Sequence, residues 1–223
     1  MFPSFGFELG AAGDGPEFEF MFPTPGTTQA NFGLAMAKQW DTPWGVARLG
    51  ASALQDDAGL LGATGDQSDG TLAGAVDIGT TLELAGEGFL SVRGQFGVAD
   101  GRESTYAAST STGFNSYTLE IGKRNALTGG DRLTLGVEMP TALTSGTAQM
   151  ALPVARAGGG ELMYRNIDVQ LSPESREMNL ALRYQAPLVD RLEFMVEAVH
   201  STNRGHIRDV SDTGGFVGFS MEF

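Results

Sequence analysis

Cysteine is absent from the 223-residue chain, which excludes a disulfide framework, thiol chemistry and thiolate metal sites. Histidine is nearly absent: His200 and His206 are the only two. Without a clustered carboxylate they make a poor metal centre, and no metal or other cofactor is expected. Lys and Arg number 14 against 27 Asp and Glu, a formal net charge of −13. Nucleic-acid partners need a basic patch and are not expected. No run approaches the roughly 18 consecutive apolar residues of a transmembrane helix. Met1-Phe2-Pro3 has no basic segment and is followed by no apolar core, so no signal peptide is visible.

What is present is glycine, 32 residues of it, and alternation. At the end of the chain Val217, Phe219, Met221 and Phe223 alternate with Gly218, Ser220 and Glu222. A period of two describes a strand with one apolar and one polar face. The same pattern recurs upstream. Glu17 and Glu19 oppose Phe18, Phe20 and Phe22, and Phe32, Leu34, Met36 and Trp40 oppose Ala35, Ala37 and Gln39. Val76, Ile78, Leu82 and Leu84 oppose Asp77 and Glu83, and Leu133 to Met139 and Leu192 to Ala198 alternate in the same way. A mean hydropathy of −0.08 fits a chain in which alternate residues face lipid and the others a polar interior.

Thirteen strand-like segments can be read, twelve of them from Glu17 to Phe223. Asp41–Pro43, Ala85–Gly88 and Pro187–Asp190 are short connections; Gln55–Gly70, Asp100–Gly113 and Ser201–Thr213 are long. Short turns at one end and long loops at the other are the rule for membrane barrels. The expected fold is therefore all-β, a transmembrane antiparallel up-and-down β-barrel of about 12 strands in a bacterial outer membrane. Residues 17–223 form it, and residues 1–16 are a linker, a plug or an extra strand. Such a protein must be exported, so the chain is expected to be a mature or excised fragment. Lipid and lipopolysaccharide are the expected surroundings.

Charges on the polar phase are expected to line a hydrated lumen: Glu17, Glu19, Asp77, Glu83, Arg93, Glu120, Arg124, Glu138, Asp168, Arg183, Glu193 and Glu197. The competing reading is an interior closed by salt bridges. Trp40, Trp44, Tyr164 and Tyr184 fall near strand ends and suit interfacial aromatic girdles, or ordinary packing. Asp56, Asp57, Asp66 and Asp69 form an acidic loop without EF-hand spacing. No catalytic residues are expected. The one enzymatic alternative rests on His200-Ser201-Thr202-Asn203, which loosely resembles the His-x-Ser-Asn stretch of outer-membrane lipid A deacylases. Thr202 would have to replace the serine, and Ser201 would point to the other face of a strand.

From Ser145 onward the chain resembles the C-terminal translocator domain of subtilisin-like autotransporters. The carrying residues are Ser145-Gly146-Thr147-Ala148, Leu152-Pro153-Val154, Leu171-Ser172-Pro173-Glu174-Ser175-Arg176-Glu177-Met178-Asn179-Leu180, Tyr184 with Pro187-Leu188, and Arg204-Gly205-His206-Ile207. The family tends to have Gly where Ser175 stands and Pro where Arg204 stands. The resemblance implies a twelve-stranded secretion pore and anchor for an N-terminal passenger. Separately, the terminal Phe223 with Met221, Phe219 and Val217 two, four and six positions earlier resembles the signal read by the barrel-assembly machinery, an expected partner. A stand-alone porin-like or structural outer-membrane barrel is the alternative.

Overall fold

In the computed structural model, residues 4–10, 16–23, 31–56, 71–101, 107–109, 111–189 and 192–221 are described. They hold fourteen strands: β1 (Ser4–Gly10), β2 (Glu17–Pro23), β3 (Asn31–Thr42), β4 (Gly45–Asp56), β5 (Thr71–Leu84), β6 (Gly88–Gly101), β7 (Ala107–Ser109), β8 (Thr112–Arg124), β9 (Arg132–Ser145), β10 (Thr147–Arg156), β11 (Leu162–Gln170), β12 (Met178–Val189), β13 (Leu192–Thr202) and β14 (Ser211–Met221). Every pairing is antiparallel. Two-faced strands joined by short turns favour this arrangement. No helix is long and apolar enough to cross a membrane, among the described residues.

The strands do not close into the expected barrel. Eleven lie in one open sheet, ordered β1-β2-β3-β4-β5-β6-β8-β9-β12-β13-β14, and three in a second, ordered β11-β10-β7. β1 and β14 stand at opposite ends of the first, and no hydrogen bonding joins them among the described residues. Alternation reports that each strand has two faces; it carries no information about whether the first strand meets the last. The even set of twelve from Glu17 onward also fails, because β10 and β11 leave the main sheet. β9 pairs with β12 directly, from Arg132↔Gln185 to Glu138↔Asn179. The chain then passes through Gly146 (φ 125°) into the β10–β11 arm. A Cβ at Gly146 would fall 2.4 Å from the Thr112 methyl, so this change of sheet needs glycine both for its dihedral and for its space.

With closure go the readings that depended on it. The secretion pore and anchor of an autotransporter translocator, the porin-like or structural outer-membrane barrel, and the outer-membrane location all required a closed wall to satisfy strand edges in lipid. An open sheet does not supply it. β7 lies within the stretch read from sequence as a long loop, and the short β1 pairs with β2 through Phe7↔Phe20.

Candidate functional site: one charged face and one bare apolar face

The register carries the alternation across most of the main sheet, with local shifts at Gly113/Phe114 and Asn115/Tyr117 between β8 and β9 and at Pro187/Val189 between β12 and β13. Eleven of the twelve charged residues singled out from sequence fall on one face: Glu17, Glu19, Asp77, Glu83, Arg93, Glu120, Arg124, Glu138, Arg183, Glu193 and Glu197. Asp168 lies apart on β11, where its carboxylate accepts from Gln149 at 3.2 Å. Many charges on the main sheet are paired, some between adjacent strands and three over an intervening strand: Arg124–Glu83, Arg183–Glu120 and Arg48–Glu17. Arg124 on β8 donates to both oxygens of Glu83 on β5 (2.6 and 2.9 Å). Arg183 on β12 donates twice to Glu197 on β13 (3.1 Å each) and approaches Glu120 on β8 at 3.5 Å. Arg132 lies 3.9 Å from Glu120, and Arg48 bridges Glu17 (3.8 Å) and Asp77 (3.6 Å). The forked contact with Arg124 holds the Glu83 carboxyl below its ordinary range and raises Arg124 in turn. The forked contact with Glu197 likewise raises Arg183, as bidentate guanidinium–carboxylate geometry requires.

The same face carries phenylalanines that alternation does not single out. Phe89 is 1% exposed and lies on the charged face. Its ring covers the backbone of Gly122, where a Cβ would come within 2.4 Å of the ring. The guanidinium carbons of Arg132 and Arg124 stand 4.4 and 5.3 Å from the ring centre. Phe114 covers Gly97, and Phe216 covers Gly218, on the same face. The signal was present in the sequence as aromatics out of phase with their strands, each with a glycine to lie against.

At the β8–β9 connection Asp131 is 1% exposed. It accepts hydrogen bonds from the backbone N–H groups of Ala126, Leu127 and Thr128 (2.5, 2.9 and 2.7 Å) and from the Tyr184 hydroxyl (3.0 Å). Burial alone would raise its pKa, but these donors outweigh burial and hold the carboxyl below its ordinary value. Tyr184, a girdle candidate from sequence, therefore closes a turn.

The other face is uncovered among the described residues. Val76 and Ile78 are 49% and 56% exposed, and Phe32, Leu34, Met36, Leu49, Val92, Phe96, Leu119, Ile121, Leu135, Leu180 and Leu182 are exposed with them. Over β3–β6 and β8 the small residues Ala47, Thr80 and Gly94 leave a groove of about 570 Å³ between Trp40, Trp44, Leu49, Ile78, Phe96 and Tyr117. Phe96 and Tyr117 meet edge-on with centroids 5.5 Å apart. Val217 and Phe219 of the expected assembly signal are 61% and 67% exposed on β14. The side chain of Met221, and Phe223, lie outside the described residues, as do Asp57, Asp66, Asp69 and the side chain of Asp56.

The lipid A deacylase alternative is not supported by the geometry. His200 Nδ1 bonds the Thr213 hydroxyl at 2.8 Å, while the Thr202 hydroxyl donates to the Met178 carbonyl at 3.3 Å. Neither Ser201 nor Thr202 is engaged by the imidazole. His206 is used structurally. Its Nδ1 accepts from the Glu177 N–H at 3.1 Å and its Nε2 faces the Thr141 carbonyl at 3.3 Å.

No protein-family model, no curated protein and no solved structure matches this chain. The resemblance to the autotransporter translocators is thus left without a supporting match, and the open sheet removes the barrel it implied.

Proposed function

We propose that this is a lipid-contacting protein without catalytic chemistry of its own, whose main sheet lays its apolar face against the acyl chains of membrane lipid or lipopolysaccharide and turns its ion-paired face away from them. One observation carries the reading: burial is inverted relative to a water-soluble sheet. Thr134 on the charged face is 3% exposed, whereas Ile78 and Val76 on the apolar face are about half exposed. A contiguous apolar area spread over many strands exceeds what a free soluble surface normally presents and marks a contact surface. The forked arginine–carboxylate pairs engage groups that would otherwise be offered to a substrate, which supports the non-catalytic part. Neither a pore nor a passenger enters this reading.

Co-flotation of the chain with zwitterionic phosphatidylcholine vesicles tests it. Vesicle-bound protein is expected, and Ile78→Glu is expected to release it. A stable two-copy assembly in vesicle-free buffer together with no flotation would overturn the reading, because the apolar face would then be covered by protein.

A further inference from the structure

The cations of the main sheet are sorted by chemical type. All five arginines in its strands, Arg48, Arg93, Arg124, Arg132 and Arg183, lie on the charged face. The only two lysines of the sequence, Lys38 and Lys123, both lie on the apolar face. Lys38 stands in a row with Leu49, Ile78, Gly94 and Tyr117, and Lys123 stands between Gly88 and Leu133. Both are near the same margin, the one with short connections. Lys38 is four residues from Thr42, where β3 ends, and Lys123 is one residue from the end of β8 at Arg124. Across β3–β6, β8, β9 and β12–β14 the only acidic residue in the apolar phase is Asp100, at the opposite margin of β6. No carboxylate pairs with either lysine among the described residues. Lys38 instead sets its ammonium 5.8 Å from the ring centre of Trp40, which lines the apolar groove.

The two side chains differ in ways that explain the sorting. Arginine's planar fork matches carboxylates bidentately and serves the ion-paired network. Lysine lays an apolar stem along an apolar surface and carries a compact charge to its edge. Lysines placed on the apolar face at one margin, with no carboxylate in ion-pair contact among the described residues, are complementary to a layer in which apolar chains end in anionic head groups. We propose that Lys38 and Lys123 each engage the phosphate of an anionic membrane lipid along the short-connection margin, and that the acyl chain of the lipid held by Lys38 lies in the groove beside Trp40, Trp44 and Phe96. This rests on the lipid-contacting reading and names the lipid class.

The sign of the effect makes it testable. A chain of net charge −13 is repelled by an anionic surface if only overall charge matters. The experiment compares co-flotation of the full chain with phosphatidylcholine vesicles and with vesicles containing about one third phosphatidylglycerol, for the wild type and for K38Q/K123Q. The expected result is a roughly thirtyfold higher vesicle affinity for the wild type on the anionic vesicles, since the two lysines near an anionic surface each contribute about 1 kcal/mol. The preference should weaken as salt rises. The double variant should lose the preference, read as the ratio of its own affinities for the two vesicle types. Equal or weaker binding to anionic vesicles by the wild type, or a preference that survives in the double variant, would overturn the lysine sites and leave the lipid-contacting reading standing. Absence of binding to either vesicle would overturn both. Both substitutions are on accessible side chains, and an unchanged far-UV spectrum establishes that the double variant is folded.

Discussion

Phe89 and Val92 are three residues apart on β6 and on opposite faces; the first is 1% exposed and the second 43%. The charged face thus holds the better-buried aromatic, packed on Gly122 beneath two guanidinium groups, while aliphatic side chains on the other face meet no protein layer among the described residues. In a water-soluble sheet the apolar face holds the fold together and the charged face decorates it. Here cohesion comes from the charged face, with its over-strand ion pairs and its phenylalanines on glycine, and the apolar face is left to recognise something else.

Substitutions should therefore be costly on one face and nearly silent on the other. The largest effect is expected from Phe89→Ala, about 3–5 kcal/mol lost in urea unfolding, because a fully buried ring and its contacts are removed. If Phe89→Ala costs no more than a substitution at Ile78, the contrast between the faces is wrong. Next comes Asp131→Asn at the rim where β8 turns into β9. It removes a carboxylate that accepts three backbone N–H groups and a tyrosine hydroxyl, and should lower the thermal midpoint by roughly 5 °C. The folded-state pKa of Asp131 is depressed, so its contribution is present above the unfolded value of about 3.9 and is lost as pH falls through the lower folded value. Wild type should lose stability in acid along that course, and the Asn variant should show a shallower dependence when melts are recorded from pH 6 to pH 2.

Arg183→Met should cost less, about 1–2 kcal/mol by denaturant titration. It leaves Glu197 and Glu120 without their partner, but the site is a third exposed and partly screened. The smallest effect on stability is expected from Ile78→Ser on the bare face, within about 0.5 kcal/mol. The same substitution should lower vesicle binding, which none of the charged-face variants is expected to do once folded.

Period-two alternation made the strands and their two faces legible, because side chains alternate whether or not a sheet closes. Asp77 beside Ile78, and Glu197 beside Val196, are examples that needed nothing more than phase. Closure was not legible, since it depends on which strands pair at a distance. The excursion at Gly146 was hidden for the same reason: β10 and β11 alternate as well as any strand of the main sheet, Ala148 and Met150 against Val169 and Ile167. Phe89 is not legible from alternation, because hydrophobic phase marks one face only, whereas a ring lying flat on a glycine backbone can be buried on either. The arginine and lysine sorting was readable from phase alone, once the two cations were counted separately.

The phenylalanines on glycine also act as index marks between strands. In the observed register Phe89 stands opposite Gly122. Sliding β8 by two residues either way would keep every side chain on its proper face, so the polar–apolar pattern would not resist it. The slip would bring Glu120 or Arg124 under the ring in place of Gly122, and neither leaves room for it. Phe114 over Gly97 sets the opposite end of the same strand pair in the same way. A repetitive sheet that alternation alone would leave free to shift by whole steps is thereby held at one setting.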